Sequence, residues 1–244
     1  MKYEKLIPTI VVPMAGLGTR FSKAGYKDIK PMIPIFGKPM IEHVVESVGL
    51  QGNWVFIVQK GHRDDYNLDA YLNKLRPGCK IIDTGGGVTE GAACSVLLAK
   101  EHIDNDAPLV VINSDNIIDW DVDLYHQYMM SDALVDGLIL CFNDTDPRWS
   151  FAKLDADGKY VAEVAEKKPI SNFATAGMYI WKQGKQFVAA AERMIEKNIR
   201  VNNEFYLCPV YNENIAEGQR IIVGMVNAMH GVGTPEELER YISR

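Results

Sequence analysis

The chain alternates between short, continuously apolar segments and longer segments whose apolar residues recur at helical spacing. Short runs of apolar, largely β-branched residues are typical of strands that are buried on both faces of a sheet. In the first half of the chain such runs predict strands at 9–12, 54–58, 80–82 and 109–112. Helices are predicted between them at 41–48, at 62–76, where Pro77-Gly78 follows, and from Ala92 onwards.

The second half of the chain is less regular. Its strands are predicted at 134–142, 151–154, 160–164, 174–181 and 220–226, and its helices at 187–198 and 204–217. Asp155-Ala156-Asp157-Gly158 is typical of a hairpin turn between two of these strands. A last helix is expected to begin at Thr234, because an N-cap threonine, a proline and then a carboxylate at the third position form a common helix start.

Strands that alternate with helices of this length predict right-handed crossovers, an α/β fold and a mostly parallel sheet. Ligands of such sheets bind at the carboxyl ends of the strands. A glycine loop at 15–20, a second at 85–91, and Asp115 all follow predicted strand ends, so we expect them to share one site. No linker or repeat interrupts the chain, which favours a single domain over 1–244.

Composition narrows the possible functions. Of the 244 residues 47% are apolar, enough for a full core, and the net charge of −6 argues against a nucleic-acid partner. The four cysteines are scattered without a Cys-x-x-Cys pair, which favours buried thiols over disulfides or metal ligands. We find no signal peptide and no apolar run of ~20 residues, and therefore expect a soluble, cytoplasmic protein with no membrane partner.

The loop after the first strand has the chemistry of an anion site. Glycine permits positive φ and leaves backbone N–H groups free to face an anion. Arg20 is the last residue of this loop and Lys30 follows ten residues later, so backbone amides and two permanent cations are available to bind a triphosphate. The loop is neither a Walker A motif, since no Gly-Lys-Ser/Thr follows, nor a dinucleotide fingerprint, since the third glycine is missing. The alternative is a tight turn with unrelated cations.

Two further segments carry candidate chemistry. Asp115 follows four apolar residues at a strand end, a position that suits Mg²⁺, although an aspartate there can equally cap a helix. The small residues of the loop 85–91 let a flat base lie against the backbone, whose amides can read its edge. A plain flexible loop is the alternative.

The combination of motifs resembles the nucleotidyltransferase family that activates sugar phosphates. The first strand is followed, in the family's order, by Gly16-Leu17-Gly18-Thr19-Arg20, Lys30-Pro31 and Gly37-Lys38-Pro39. The segments 163–169 and 176–179 resemble its second signature, Glu-Lys-Pro and then Ala-Gly-x-Tyr, although the proline stands one position later. The resemblance implies a Rossmann-like, GT-A-type fold, Mg²⁺ as cofactor, and an NTP and a phosphorylated small-molecule acceptor as partners. It also implies a nucleotide-binding half over about 1–130 and an acceptor-binding half over about 131–244.

The resemblance also implies a role for each candidate residue. Arg20 and Lys30 are expected to be the catalytic cations that offset charge on the phosphates. The nucleotide-binding residues implied are Ala15, Gly16, Gly18, Thr19, Thr84, Gly86 and Gly91. Those implied for acceptor binding are Asn116, Glu166, Lys167 and Gly177, where Glu166 holds sugar hydroxyls and Lys167 holds the acceptor phosphate. Asp115 is expected to bind the metal.

The implied reaction transfers a nucleoside monophosphate to the acceptor and releases pyrophosphate. The acceptor is most simply a sugar 1-phosphate, a precursor for surface polysaccharide. Its phosphate has a second pKa of ~6, is largely ionised at neutral pH, and needs no catalytic base.

Two departures keep other functions open. Gly231 stands where the family commonly has a second metal-binding aspartate, and Ser150 stands near a glycine of the sugar-specific members. The alternatives are a cytidylyltransferase acting on a non-sugar phosphate, a GT-A glycosyltransferase, and a non-catalytic regulatory relative that binds nucleotide. A glycosyltransferase would normally carry Asp-x-Asp where this chain has Asn113-Ser114-Asp115. The base, the acceptor and the formation of a homo-oligomer stay open.

Overall fold

The protein is described by a computed structural model over residues 7–130 and 134–244. The strands of these residues are β1 (Thr9–Pro13), β2 (Pro34–Ile35), β3 (Lys38–Pro39), β4 (Asn53–Val58), β5 (Lys80–Asp83), β6 (Leu109–Ile112), β7 (Asn116–Asp119), β8 (Gly137–Asn143), β9 (Ser150–Leu154), β10 (Val161–Glu166), β11 (Phe173–Trp181), β12 (Ile221–Met225) and β13 (Ala228–Gly231). The helices are α1 (Thr19–Lys23), α2 (Met40–Val48), α3 (Lys60–Asp65), α4 (Leu68–Leu75), α5 (Ala92–Leu97), α6 (Lys100–Ile103), α7 (Asp123–Met130), α8 (Gly184–Glu196), α9 (Val210–Ala216) and α10 (Pro235–Ile242), with a 3-10 turn at Lys30–Met32.

A nine-stranded sheet forms the centre of the structure. The strands β5, β4, β1 and β6 lie side by side and parallel, as the apolar runs of the first half predict. The strand β11 runs antiparallel to β6 and joins the second half of the sheet, in which β8 and β12 pair in parallel. The predicted α/β architecture with a Rossmann-like, mostly parallel sheet is therefore confirmed.

Helices cover both faces of this sheet. In β1, Ile10 and Val12 face the layer that contains α2, α4, α7 and α10, whereas Val11 faces α5, α6, α8 and α9. All three side chains have no exposed surface. Burial from both sides explains why the central strands are apolar at every position and do not alternate with polar residues.

The strand β11 changes partners at Gly177. Its first residues pair with β9 and its last with β6, and its register against β8 shifts between Thr175 and Tyr179. Gly177 has φ of +76°, and a Cβ there would lie 2.8 Å from Cγ of Asn116 and 2.9 Å from Nδ2 of Asn113. Glycine is required because these two side chains rest on its backbone. The change of partner opens the sheet just beyond the carboxyl end of β6.

Two predicted helices differ from the structure. The segment predicted as one helix at 62–76 forms α3 and α4, because Asn67 adopts a left-handed conformation with φ of +47°. The break lets α4 bury Leu68 and Leu72 while α3 buries no residue. An αL asparagine is a tolerated way to end a helical turn.

The prediction of a helix at 204–217 was wrong over its first half. Only α9 is helical there, because the backbone of Phe205 instead bonds to the carbonyl of Glu90, at 2.8 Å, and to the amide of Ala93, at 3.0 Å. The strand predicted from residue 134 begins at Gly137. The last helix begins as expected, with the hydroxyl of Thr234 accepting a bond of 3.2 Å from the amide of Glu237.

Part of the predicted single domain, residues 1–6 and 131–133, lies outside the described residues, including the start of the predicted second half. Across the residues that are described, no helix is long and apolar enough to cross a membrane.

Candidate active site

Two adjoining cavities lie where the strands β1 and β6 end. The smaller cavity has a volume of about 510 Å³ and the larger about 590 Å³. Both are lined by Lys30, Ala92, Asn113, Asp115 and Tyr206, which form the boundary between them. This convergence agrees with the expectation that separate strand ends share one site.

The first glycine loop lines the smaller cavity. All four residues predicted there, Ala15, Gly16, Gly18 and Thr19, contribute to its wall. Gly18 has φ of +62°, and a Cβ there would lie 3.1 Å from Cβ of Lys30. The loop therefore needs glycine both for its turn and for the close approach of the lysine.

Both predicted cations line the larger cavity. Arg20 begins α1 and lines the larger cavity, while Lys30 lines both cavities. The ammonium of Lys30 forms an ion pair with Oδ2 of Asp115, and their side chains are 20% and 27% exposed. Since both groups remain accessible, an anion that enters either cavity meets this pair.

The second glycine loop contributes only in part. Gly91 lines the smaller cavity with φ of +132°, and a Cβ there would collide with the backbone of Phe205. Thr84 and Gly86 line neither of the two cavities, and the hydroxyl of Thr84 instead donates to the carbonyl of Gly87. The structure thus brings one of the three predicted loop residues to the site.

All four residues predicted for the acceptor line the larger cavity: Asn116, Glu166, Lys167 and Gly177. Glu166 ends β10 and accepts a hydrogen bond from the hydroxyl of Ser150. Burial raises the pKa of the Glu166 carboxyl, and the bond from Ser150 offsets this only in part. Lys167 follows in a left-handed conformation with φ of +56°, and its ammonium donates to the hydroxyl of Tyr206 at 2.5 Å.

The cavities also expose residues to which the sequence analysis assigned no role. Asn113, Arg148, Trp149, Tyr206 and Glu237 line the larger cavity. Asn113 stands at the same strand end as Asp115, so the rule that placed the aspartate also identifies this asparagine. Arg148, Trp149 and Tyr206 lie outside the regular elements and reach the cavity through long-range folding.

The position of Gly231 has a steric explanation. A Cβ there would lie 3.1 Å from Cη2 of Trp149, a tight contact, so an aspartate would require the indole to shift. The carboxylate of Glu237 lies nearby: its Oε2 accepts a bond of 3.0 Å from the amide of Gly233, and its Oε1 one of 3.0 Å from Arg148.

The donor set near Gly233 fits a magnesium ion. A Cβ at Gly233 would lie 2.6 Å from Oδ2 of Asp115 and 3.5 Å from Oε2 of Glu237, so two carboxylates flank the space that glycine leaves. Over the described part of the chain no group of three or more His, Cys, Asp or Glu side chains can hold a metal. Mg²⁺ commonly uses one or two carboxylates with phosphates and water, and these residues fit that pattern.

The mixed sheet and the glycine-lined cavities at its strand ends define an α/β protein with a candidate ligand site at the carboxyl ends of the strands. The chain belongs to the nucleotidyl transferase family, whose model matches residues 10–221. This confirms the resemblance found in the glycine loop and in the lysine motifs that follow it.

The similarity to two curated relatives covers between about two thirds and nearly all of this chain. The bifunctional protein GlmU of Methanocaldococcus jannaschii is 28% identical over 171 residues, which cover 69% of this chain and 38% of the relative. The mannose-1-phosphate guanylyltransferase catalytic subunit beta of Danio rerio is 23% identical, over 93% of this chain and 61% of the relative. The chain thus spans well under half the length of the GlmU proteins that it matches.

Solved structures match nearly the whole chain. The nucleoside-diphosphate-sugar pyrophosphorylase of Vibrio cholerae RC9 is 27% identical with a TM-score of 0.81, over 96% of this chain and 100% of that one. A UDP-glucose pyrophosphorylase complexed with UDP-glucose has a TM-score of 0.75 at 20% identity, over 98% of both chains, and supports the fold.

Replacing Glu166 by glutamine is expected to stabilise the protein at neutral pH. Because burial raises the pKa of Glu166, ionisation of this carboxyl lowers the free energy of unfolding; the cost is complete above the native pKa and disappears in acid, where the carboxyl is protonated in both the native and the unfolded state. Urea unfolding should show that E166Q has a higher free energy of unfolding than the wild type at pH 7.5, and that this difference is smaller at pH 4.

The matched control for E166Q is E163Q, on the exposed side of the same strand. This control should show no such pH-dependent gain. An equal effect of E166Q at both pH values would contradict the assigned cause.

Proposed function

We propose that the protein transfers a nucleoside monophosphate from an NTP to a phosphorylated acceptor, most simply a sugar 1-phosphate, and releases pyrophosphate. The observation that carries the proposal is the shared boundary of the two cavities. The triphosphate-type loop lines one cavity, Glu166 and Lys167 line the other, and Lys30 and Asp115 lie between them. A nucleotide-binding half to about residue 130 and an acceptor-binding half after it form part of this proposal.

In this mechanism the NTP occupies the smaller cavity. The amides of the first glycine loop and Lys30 bind its phosphates at the boundary of the two cavities, and Arg20 binds them from the larger cavity. Gly91 lets the base lie against the backbone. A phosphate bound to Lys30 competes with Asp115 for the ammonium, which frees that carboxylate. Asp115 and Glu237 would then hold Mg²⁺, which supplies positive charge to the phosphates.

The acceptor occupies the larger cavity. Lys167 binds its phosphate, while Glu166 and Asn116 hold hydroxyls. An oxygen of this phosphate forms a bond to the α-phosphorus as the bond from the α-phosphorus to the leaving pyrophosphate breaks. The attacking oxygen is already ionised near neutral pH, so positioning and charge neutralisation suffice and no proton needs to be removed.

A non-sugar phosphate is the second candidate acceptor. Arg148 stacks on Trp149, with its guanidinium carbon 4.4 Å from the ring centroid. The same guanidinium forms ion pairs with Glu237 at 3.0 Å and with Asp146 at 3.5 Å. A fixed guanidinium in the larger cavity can recognise a carboxylate or a second anionic group. Use of the product for surface polysaccharide and a cytoplasmic location follow from the first candidate and are proposed with it.

The proposed function is tested by pyrophosphate release with each NTP against a panel of phosphorylated acceptors, in the presence of Mg²⁺. We expect release with one base class and one acceptor class, and with no NTP alone. The panel includes sugar 1-phosphates and phosphorylated amino alcohols and amino acids. Tight NTP binding without release in any combination would favour a regulatory role, and glycosyl transfer from a nucleotide sugar would favour a glycosyltransferase.

Replacing Lys30 by alanine is expected to lower kcat/KM for the NTP by about 10²–10³-fold, because the ammonium offsets charge that develops on the phosphates. Steady-state kinetics of K30A measure this loss. The control is K23A, which removes an exposed lysine of α1 that lines neither cavity. Turnover of folded K30A at the wild-type rate would rule out the assigned role.

Replacing Glu237 by alanine is expected to weaken divalent-ion binding by at least about tenfold, the range seen when a carboxylate that orients a metal ligand is lost. The measurement is Mn²⁺ binding by electron paramagnetic resonance in the presence of NTP, which does not depend on turnover. E239A, on the exposed side of α10, is the control. Unchanged Mn²⁺ affinity of E237A would leave Asp115 as the sole carboxylate ligand.

A further inference from the structure

Tyr206 lies at the junction of the two cavities and contacts the lysine proposed to bind the acceptor. Its hydroxyl lies 2.5 Å from Nζ of Lys167, whereas its ring centroid lies 4.6 Å from that atom. The ammonium is therefore held mainly by a hydrogen bond to the phenolic oxygen, and much less by the face of the ring.

The backbone of Lys167 restricts where its ammonium can go. Its φ of +56° is unusual for a residue with a side chain, and its amide donates to the carbonyl of Trp149 at 2.9 Å. Within residues 7–130 and 134–244, Lys167 forms no ion pair and its ammonium has the phenol as its hydrogen-bond partner. An ammonium has three donors, so two remain for a phosphate while Tyr206 keeps the third.

The segment that carries Tyr206 is itself fixed to the second glycine loop. The adjoining Phe205 is 1% exposed, and its amide and carbonyl bond to Glu90 and Ala93 on either side of Gly91. Gly91 allows this contact because any side chain there would collide with the backbone of Phe205. The phenol is thus held at a constant position relative to the smaller cavity.

We propose that Tyr206 is a positioning residue that holds the ammonium of Lys167 at the junction of the two cavities and, through Phe205, fixes that lysine relative to the loop around Gly91. This inference deepens the proposed function and rests on it. Its consequence is tighter binding of the acceptor phosphate, because the ammonium is already held in place when the acceptor enters, while Tyr206 itself touches neither reacting atom.

The first test is Y206F, which removes the hydroxyl and keeps the ring. We expect the KM for the acceptor to rise about three- to tenfold, the effect of losing one hydrogen bond, while the KM for the NTP and kcat change less than about twofold. This pattern follows because Lys167 binds the acceptor phosphate equally in the ground and transition states. A change in folding alone would not separate the two KM values.

The control is Y160F, which changes a second tyrosine beside a lysine. Nζ of Lys159 lies 5.0 Å from the ring centroid of Tyr160, and neither residue lines the two cavities. Y160F should leave both KM values unchanged. An unchanged acceptor KM in Y206F, or an equal rise in the NTP KM, would overturn the proposal.

A double-mutant cycle tests whether Tyr206 acts through Lys167. We expect K167A to raise the acceptor KM, and K167A/Y206F to raise it no further. If Y206F has its full effect in the K167A background, its hydroxyl acts independently of the lysine and the proposal is wrong.

Phosphate binding separates this proposal from the proposed function. Absence of turnover with every NTP and acceptor would refute the proposed function, but it would not test the role of Tyr206 in holding Lys167. Calorimetric titration of inorganic phosphate would then be expected to show weaker binding for K167A and Y206F, and no additional loss in the double variant. Phosphate binding that is insensitive to either substitution would overturn the inference.

Discussion

The site depends on the point at which β11 leaves one partner strand for another. At Gly177 the backbone supports the side chains of Asn113 and Asn116 at distances that exclude a Cβ. The ladder between β6 and β11 ends here, with the amide of Asn113 donating to the carbonyl of Gly177 at 2.9 Å, and beyond this point β11 pairs with β9. Asp115 and Glu166 therefore line the same cavity although they come from different parts of the sheet.

Pairing of opposite charges explains how an acidic protein can offer a site to phosphates. Lys30 is paired with Asp115 and Arg148 with Glu237, so two cations of the cavity walls are each held beside a carboxylate. Burying an unpaired cation costs several kcal/mol, and pairing avoids that cost while keeping the cation near the surface. A phosphate that binds the cation leaves the carboxylate without its partner, and a divalent ion is the natural replacement. Under the proposed function, charge neutralisation would link the binding of nucleotide to the binding of metal.

Local sequence predicted those parts of the site that lie close together along the chain. The first glycine loop and Lys30 are ten residues apart, and both are fixed by one strand end and one short turn, so their proximity follows from local geometry. Of the three residues predicted in the loop at 84–91, only Gly91 lines a cavity, because only the end of this loop, at Glu90 and Gly91, is held by the distant Phe205. Residues such as Tyr206 and Arg148 could not be found from periodicity, since they lie between regular elements. The same limit explains the error at 204–217, where long-range bonds of the Phe205 backbone override helical spacing.

The departure at Gly231 shows how a substitution can be compensated within the structure. The strand β13 pairs with β7 and sets Gly231 opposite Asn116, beside the site. The indole of Trp149 occupies the space next to this glycine, and its nitrogen donates to Asp144 at 3.0 Å, so the ring is fixed by a polar contact as well as by packing. An aspartate at residue 231 would crowd this indole, and α10 brings Glu237 to the same space from the other side. The carboxylate beside the site is thus supplied by Glu237 of α10 and not by a residue of β13, and the indole of Trp149 packs against Gly231. Because the carboxylate comes from α10, Trp149 can shape the wall of the larger cavity while a carboxylate is kept beside Asp115.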